Sequence, residues 1–301
     1  MIITTPDKID LQKDRLGYLY VFLAAILFAI SGTSAKFLFN ESVTAFQLIQ
    51  MRTTLAFVGL LTWLCLKNPA LLKISIVNLP YFFGLGVFGI GSAQFFYLFA
   101  ISKINVAPAI LLHYTGPVFV ALYAVLVQRQ KISFIGALAI LGTLIGCYLV
   151  VGGYNLQLFA LDRTGIIAGL LAAVSFAVYS ILSEYGMRKY TPWTVLLYGM
   201  LFAALMWNSL YTPLEAFLHR YSPFQWGLII FIGIFGTIFP FGLYFEGIKR
   251  IKPTHASITA TLEPISAGVI AAVFLGEVMV TLQIIGGFIV LVSIVLLQLE
   301  K

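Results

Sequence analysis

His255, Thr259 and Glu263 recur every four residues in a stretch that is otherwise apolar, and Pro264 follows directly. That spacing puts all three on one face of a helix, as a single polar stripe. In hydrocarbon, a charge near a helix centre costs about 2.5–3.5 kcal/mol on insertion scales, and residues kept at that cost mark substrate or ion paths. A proline at the same depth removes a backbone hydrogen bond and opens a kink that can line a cavity. A second apolar stretch offers a partner set, with His113, Tyr114 and Gly116 just ahead of Pro117. Two uses of Glu263 follow. It holds a substrate ammonium or a proton, with His113 beside it, or it is a neutral hydrogen-bonded side chain that fixes helix packing. Pro117 and Pro264 are the candidate hinges.

Arg52 stands eight residues into another apolar stretch, with Gln47 and Gln50 close by. Three uses are open to it: gripping a substrate carboxylate through two parallel bonds, snorkelling to the nearer surface, or pairing with Glu41. Gln94, Tyr97, Tyr179 and Tyr244 either face a cavity or fill gaps between helices. Lys36, near the end of its stretch, reads as a snorkelling lysine, and Glu277 reads as serving the N-terminal dipole of the last helix. Glu184 with Arg188, and Glu246 with Lys249 and Arg250, have the i+3 and i+4 spacing of ordinary helix-surface pairs. The three histidines and two cysteines lack metal-ligand spacing, and no Ser-His-acid set suggests a nucleophilic enzyme. Without a glycine-rich phosphate loop carrying a lysine, ATP drive is not expected. Neither an enzyme nor a cofactor is anticipated.

These residues sit in a chain whose composition names its solvent. Of 301 residues, 61% are hydrophobic and 10% charged, with mean hydropathy +1.01. A soluble domain carries about 25% charged residues. Apolar stretches fall at 17–38, 44–66, 79–99, 104–127, 133–152, 164–187, 193–211, 224–246, 253–275 and 280–299. Each suits a membrane helix, so the expected fold is all-α, with ten transmembrane helices. A β-barrel would alternate in hydropathy, and these runs do not. The net charge of +7 is scattered between the stretches and forms no basic face, so no nucleic-acid partner is expected. Cys65 and Cys147 lie in different apolar stretches and read as packing residues. The polar segment 1–16 is followed by a 22-residue apolar run, longer than the core of a cleaved signal, about 7–15 residues, so it is expected to be retained.

Of the 18 Lys and Arg, Lys36 and Arg52 lie within stretches, and only Lys103, Arg163 and Arg220 fall in alternate loops with respect to the other thirteen. The positive-inside rule then puts both termini in the cytoplasm. A shift of 148 aligns Arg15, Gly17, Leu23 and Phe28 with Arg163, Gly165, Leu171 and Phe176. A shift of 147 aligns Gly86, Gly89, Tyr97, Ala109 and Pro117 with Gly233, Gly236, Tyr244, Ala256 and Pro264. Five helices per repeat is an odd number, so the second copy enters the membrane inverted. The expected organisation is a cytoplasmic segment 1–16, a first repeat 17–152, a connecting loop 153–163 and a second repeat 164–299. Inverted repeats are a recurrent design of secondary transporters, with a midplane site opened to each side in turn, an argument by analogy of architecture.

The residues at this point resemble the EamA branch of the drug/metabolite transporter superfamily. The resemblance rests on the run from Ala107 to Phe119, on Leu262-Glu263-Pro264-Ile265, on Arg52, on Phe274-Leu275-Gly276-Glu277, and on Gln283 with Gly286-Gly287. It spans about Gly17 to Leu299. The first half departs from it at Gln128 to Lys131, where the acidic residue would recur. The resemblance implies a ten-helix carrier with a central cavity between the halves, often an exporter of amino acids or other metabolites. The expectation is therefore a secondary transporter of the inner membrane, moving small metabolites outward, amino acids first, with protons the candidate coupling ion. Its expected state is a monomer or weak homodimer. A lipid or amphiphile flippase, or a membrane assembly partner, is the alternative use of the same fold.

Overall fold

A segment in hydrocarbon finds no water for its N–H and C=O groups, so an apolar stretch must close its hydrogen bonds internally, as a helix. The structure, a computed structural model, describes residues 8–127, 129, 133–150, 154, 163–210, 212–251, 256, 259–260 and 262–299. Their first half contains α1 (Lys8–Asn40), α2 (Ala45–Lys67), α3 (Ile76–Lys103), α4 in two pieces (Val106–His113 and Gly116–Leu126) and α5 (Phe134–Val150). The second half contains α6 (Arg163–Met187), α7 (Pro192–Leu210), α8 (Pro223–Arg250), α9 (Leu262–Leu275) and α10 (Thr281–Leu299). Six of these, α1–α3 and α6–α8, hold candidate membrane spans, and α4, α5, α9 and α10 are shorter apolar helices. Three long helices and then two short ones, twice over, write the repeat in helix lengths. Outward faces of α5 and α10 present Leu141, Ile145, Ile285, Phe288 and Val292, the kind of surface a bilayer covers. The chain is an integral, multi-pass membrane protein.

The halves interlock. At the start of α1, a Cβ built on Gly17 would stand 2.6 Å from Ile251 Cγ2 and 3.1 Å from Arg250 Cβ, at the end of α8. At the start of α6, a Cβ on Gly165 would stand 2.7 Å from Ile104 Cγ2 and 2.9 Å from Lys103 Cβ, at the end of α3. The sequence shifts that match Gly17 with Gly165 also match Ile104 with Ile251. Each half therefore lends its first helix to the third helix of the other, by the same contact. The two contacts lie at opposite faces, because five crossings separate α1 from α6, and this is the inverted topology. Small residues also bring α5 against α10, where a Cβ on Gly146 would lie 2.8 Å from the Gly286 carbonyl oxygen.

Two further features recur. π-helical turns interrupt α3 over Leu85–Gly91 and α8 over Ile234–Ile238, and a shift of 147 carries 87–91 onto 234–238. Such turns widen a helix locally and release carbonyls from the regular ladder. The chain also takes a left-handed residue after α4, at Arg129 (φ 56°), and after α9, at Gly276 (φ 66°), again 147 apart. α4 itself breaks at Tyr114–Thr115, where the bond from Thr115 N reaches only to the Leu112 oxygen (3.1 Å) and Val118 N bonds to the Thr115 oxygen (2.9 Å). Pro117 has no N–H to contribute there. Pro264 falls in the first turn of α9, where a missing N–H is tolerated.

Candidate functional site

Between the halves lies a cavity. The first half contributes Ala25 and Phe28 from α1, Arg52 from α2, Ala93, Gln94 and Tyr97 from α3, and His113 and Tyr114 from α4. The second half answers with Phe176 and Tyr179 from α6, Phe241 and Tyr244 from α8, Ala260 and Glu263. Eight of the ten side chains singled out in the sequence are brought together here: Arg52, Gln94, Tyr97, His113, Tyr114, Tyr179, Tyr244 and Glu263. Thr259 is half-buried and does not line the cavity. His255 lies outside the described residues.

Glu263 is 4% exposed. Its carboxylate accepts from the Tyr114 hydroxyl at 2.8 Å and from the Tyr97 hydroxyl at 3.2 Å. Arg52, 3% exposed, donates from Nε to Thr237 Oγ1 (2.7 Å) and from Nη2 to the Gly236 carbonyl (2.9 Å). Both partners belong to the π-turn of α8, so the widened turn of one half anchors the guanidinium of the other. Thr237 donates in turn to the Ile232 carbonyl at 2.8 Å. The expectations of snorkelling or of a pair with Glu41 are corrected: the arginine is buried, and its hydrogen bonds run inward to α8. Among the described residues no ion pair within 4.0 Å joins Arg52 to Glu263. One cavity thus presents a guanidinium and a carboxyl group that are not in contact.

Aromatic rings form the walls. His113 meets Tyr97, Tyr114 and Phe176 edge-on, with centroids 5.4, 5.9 and 5.0 Å apart. Phe28 meets Phe241 at 5.0 Å, and Tyr179 meets Phe176 at 5.1 Å. Gln94 donates weakly from Nε2 to Met200 Sδ at 3.6 Å, while its Oε1 is buried without a partner. The Nδ1 of His113 is likewise buried and unpartnered. Phe28, Phe176 and Phe241 were not singled out in the sequence, where phenylalanine is abundant. The repeat carried the signal: Phe28 and Phe176 are matched by the shift of 148, and Phe241 and Ala260 are the mates of Gln94 and His113.

A second cluster lies at the other end of α1. Lys36 donates from Nζ to the Ile101 and Ile104 carbonyls, both at 2.9 Å, and stands 3.9 Å from a Glu277 oxygen. The other Glu277 oxygen accepts from Val106 N at 2.8 Å. Lys36 is therefore no snorkelling lysine: it closes the carbonyl end of α3. Glu277 does serve a helix N-terminus, but that of α4 rather than α10. Burial raises the Glu277 pKa, and the Val106 N–H and the Lys36 charge act the other way. The surface pairs behave as expected: Arg188 reaches Glu184 at 3.1 Å, and Arg250 is bonded to Glu246.

Two interlocked, inverted repeats around a cavity held inside a multi-pass membrane protein define a transporter. The model of the EamA-like transporter family matches residues 15–152 and again 163–299, and the chain belongs to that family. An uncharacterized transporter of Archaeoglobus fulgidus is 30% identical over 285 residues, covering 94% of this chain and 96% of that protein. The uncharacterized inner membrane transporter YicL of Salmonella typhimurium is 25% identical, covering 95% and 96%. The threonine/homoserine exporter RhtA of Escherichia coli K12 is 26% identical over 208 residues, covering 68% of this chain and 65% of the exporter. A solved crystal structure shares the fold, with TM-score 0.64 at 19% identity, covering 93% and 95%.

Proposed function

We propose that this protein is a secondary active transporter that exports amino acids across the inner membrane by alternating access. The repeats 17–152 and 164–299 are its two moving units, both termini are cytoplasmic, and the break ahead of Pro117 is one of its hinges. The observation that carries this reading is the pairing of Arg52 and Glu263 across one aromatic-walled cavity. A zwitterion complements that pattern: its carboxylate meets the guanidinium, its ammonium meets Glu263, and its side chain lies against phenyl and phenol rings, which also attract cations. The RhtA relatives, named as exporters of two amino acids, point the same way.

Purified protein in proteoliposomes, assayed by counterflow of labelled amino acids with and without a pH gradient, tests the reading. Saturable exchange of at least one amino acid is expected, and a response to the pH gradient would identify protons as the coupling ion. Absence of counterflow for every amino acid, together with scrambling of a fluorescent lipid, would replace the carrier by the flippase.

A further inference from the structure

The Lys36–Glu277 cluster ties together chain segments that meet at one end of the bundle, and binding in the cavity gives it no task. Lys36, near the end of α1, donates to the Ile101 and Ile104 carbonyls at the end of α3, each at 2.9 Å. Glu277, on the turn between α9 and α10, accepts from Val106 N at the start of α4 (2.8 Å) and faces Lys36 at 3.9 Å. Its own main chain is held too, with Glu277 N bonded to the Ala271 carbonyl at 3.3 Å. The α3–α4 tip is therefore gripped on both sides of its turn, at the carbonyl end of one helix and the N–H end of the next. Both helices run from that tip to the cavity wall. Tyr97 and His113 line the cavity, each two turns along its helix from the tip, about 10 Å.

The residues for this arrangement are missing from the matched positions of the other half. The shift of 148 that pairs α1 with α6 carries Lys36 onto Glu184, and a shift of 147 carries Val106 onto Pro253 and Glu277 onto Gln130. The cation is thus replaced by an acid, the N–H donor by a residue that has none, and the carboxylate by an amide. Glu184 accepts instead from Arg188 on its own helix at 3.1 Å, with both side chains mostly exposed. The apolar contact, by contrast, is kept at both ends, as Gly17 against Ile251 and Gly165 against Ile104. Packing joins the halves twice, and a charged lock is added once. With both termini in the cytoplasm, the locked end is the outer one.

We propose that Lys36 and Glu277 are the outer gate of the carrier, a lock that holds the α3–α4 tip onto α1 and the α9–α10 turn and parts whenever substrate leaves on that side. The inference rests on the alternating-access reading above and adds where release is controlled and by which residues. Outward opening breaks charge-assisted hydrogen bonds that inward opening leaves intact, so the resting population favours a cavity shut to the outside. For an exporter, that bias keeps the cavity available to the cytoplasmic pool and closed to substrate already released.

Ala93 lines the cavity, and Ala93→Cys in a protein that also carries Cys65→Ser and Cys147→Ser reports access to it. A membrane-impermeant maleimide reaches the outer side in intact cells and the inner side in inside-out vesicles. With the lock unaltered, the reporter is expected to react at least about tenfold more slowly from outside than from inside. Lys36→Met, and separately Glu277→Ala, are each expected to raise the outside rate about tenfold without raising the inside rate. Equal rates from the two sides with the lock unaltered, or an outside rate that neither variant moves, would overturn the gate while leaving amino-acid counterflow standing. Equal acceleration from both sides would overturn it as well, since loosened packing has no sidedness. Acceleration confined to the inside-out vesicles would overturn the outer placement and the cytoplasmic termini with it. Absence of counterflow for every amino acid, with the labelling pattern as expected, would support the gate and overturn only the amino-acid cargo.

Discussion

The packing of the two halves is written twice, whereas their chemistry is written once. Gly17 against Ile251 and Gly165 against Ile104 are the same contact made by two copies of one unit, and the π-turns of α3 and α8 fall at matched positions. At the positions a shift of 147 matches with Arg52, Gln94 and His113, however, stand Gly199, Phe241 and Ala260. Twinned packing is what the proposed alternating access asks of inverted repeats, two units that exchange conformations with little difference in frame energy. Unlike residues at matched positions make the cavity asymmetric, with Arg52 and His113 from the first half and Glu263 from the second.

That contrast can be broken most sharply at Arg52. Arg52→Met removes the cation that only the first half supplies, and counterflow is expected to drop at least about tenfold, the scale of one charge-assisted hydrogen bond. Met200→Leu, at a buried position in the corresponding helix of the other half, is expected to keep transport within about twofold. Comparable losses in both variants would show that chemistry is shared between the halves after all. The packing twins are expected to behave in the opposite way. Gly17→Leu and Gly165→Leu each force side-chain atoms into an occupied contact, with a cost of about 1–3 kcal/mol. Their melting temperatures in detergent should fall by similar amounts. A loss confined to one of them would mean that the two contacts are not equivalent.

A smaller effect tests the twinned left-handed turns. Gly276 adopts its positive φ freely, whereas Arg129 holds the same conformation against a steric cost of about 1–2 kcal/mol. Arg129→Gly is expected to raise the melting temperature by a few degrees in detergent, and a decrease would count against the matched turns. The smallest effect belongs to the Lys36–Glu277 cluster. Burial raises the Glu277 pKa, so the packed state binds the proton more tightly than an open one. The stability it contributes is present below the ordinary carboxylate range and is lost as pH rises through the raised pKa. Thermal melts should show that gentle decline, and Glu277→Gln should flatten it. An unchanged pH profile in that variant would remove Glu277 as its source.

The same contrast explains what was legible in the sequence. Ten helices, the repeat and its inversion could be read because bilayer crossings need long apolar runs and glycine and proline contacts leave a fixed offset. Eight cavity residues stood out because polar groups are scarce in apolar stretches. The phenylalanine walls did not, since a single Phe in a membrane helix faces lipid as readily as a cavity. Lys36 and Glu277 were misread for a different reason. Local rules offer a lysine near a helix end the surface, and an acid near a helix start that helix's dipole. Their actual partners, Ile101, Ile104 and Val106, lie far away in sequence and meet them only through the interlocking of the halves.

Glu263 offers the most direct measurement. Gln at this position keeps one oxygen to accept from one of the two tyrosine hydroxyls and turns an NH₂ toward the oxygen of the other, but carries no charge, so shape is retained while the proposed ammonium partner is lost. Counterflow by Glu263→Gln in proteoliposomes, at matched insertion and melting temperature, is expected to fall by at least about tenfold. Wild-type kinetics for every transported amino acid in that variant would contradict the account.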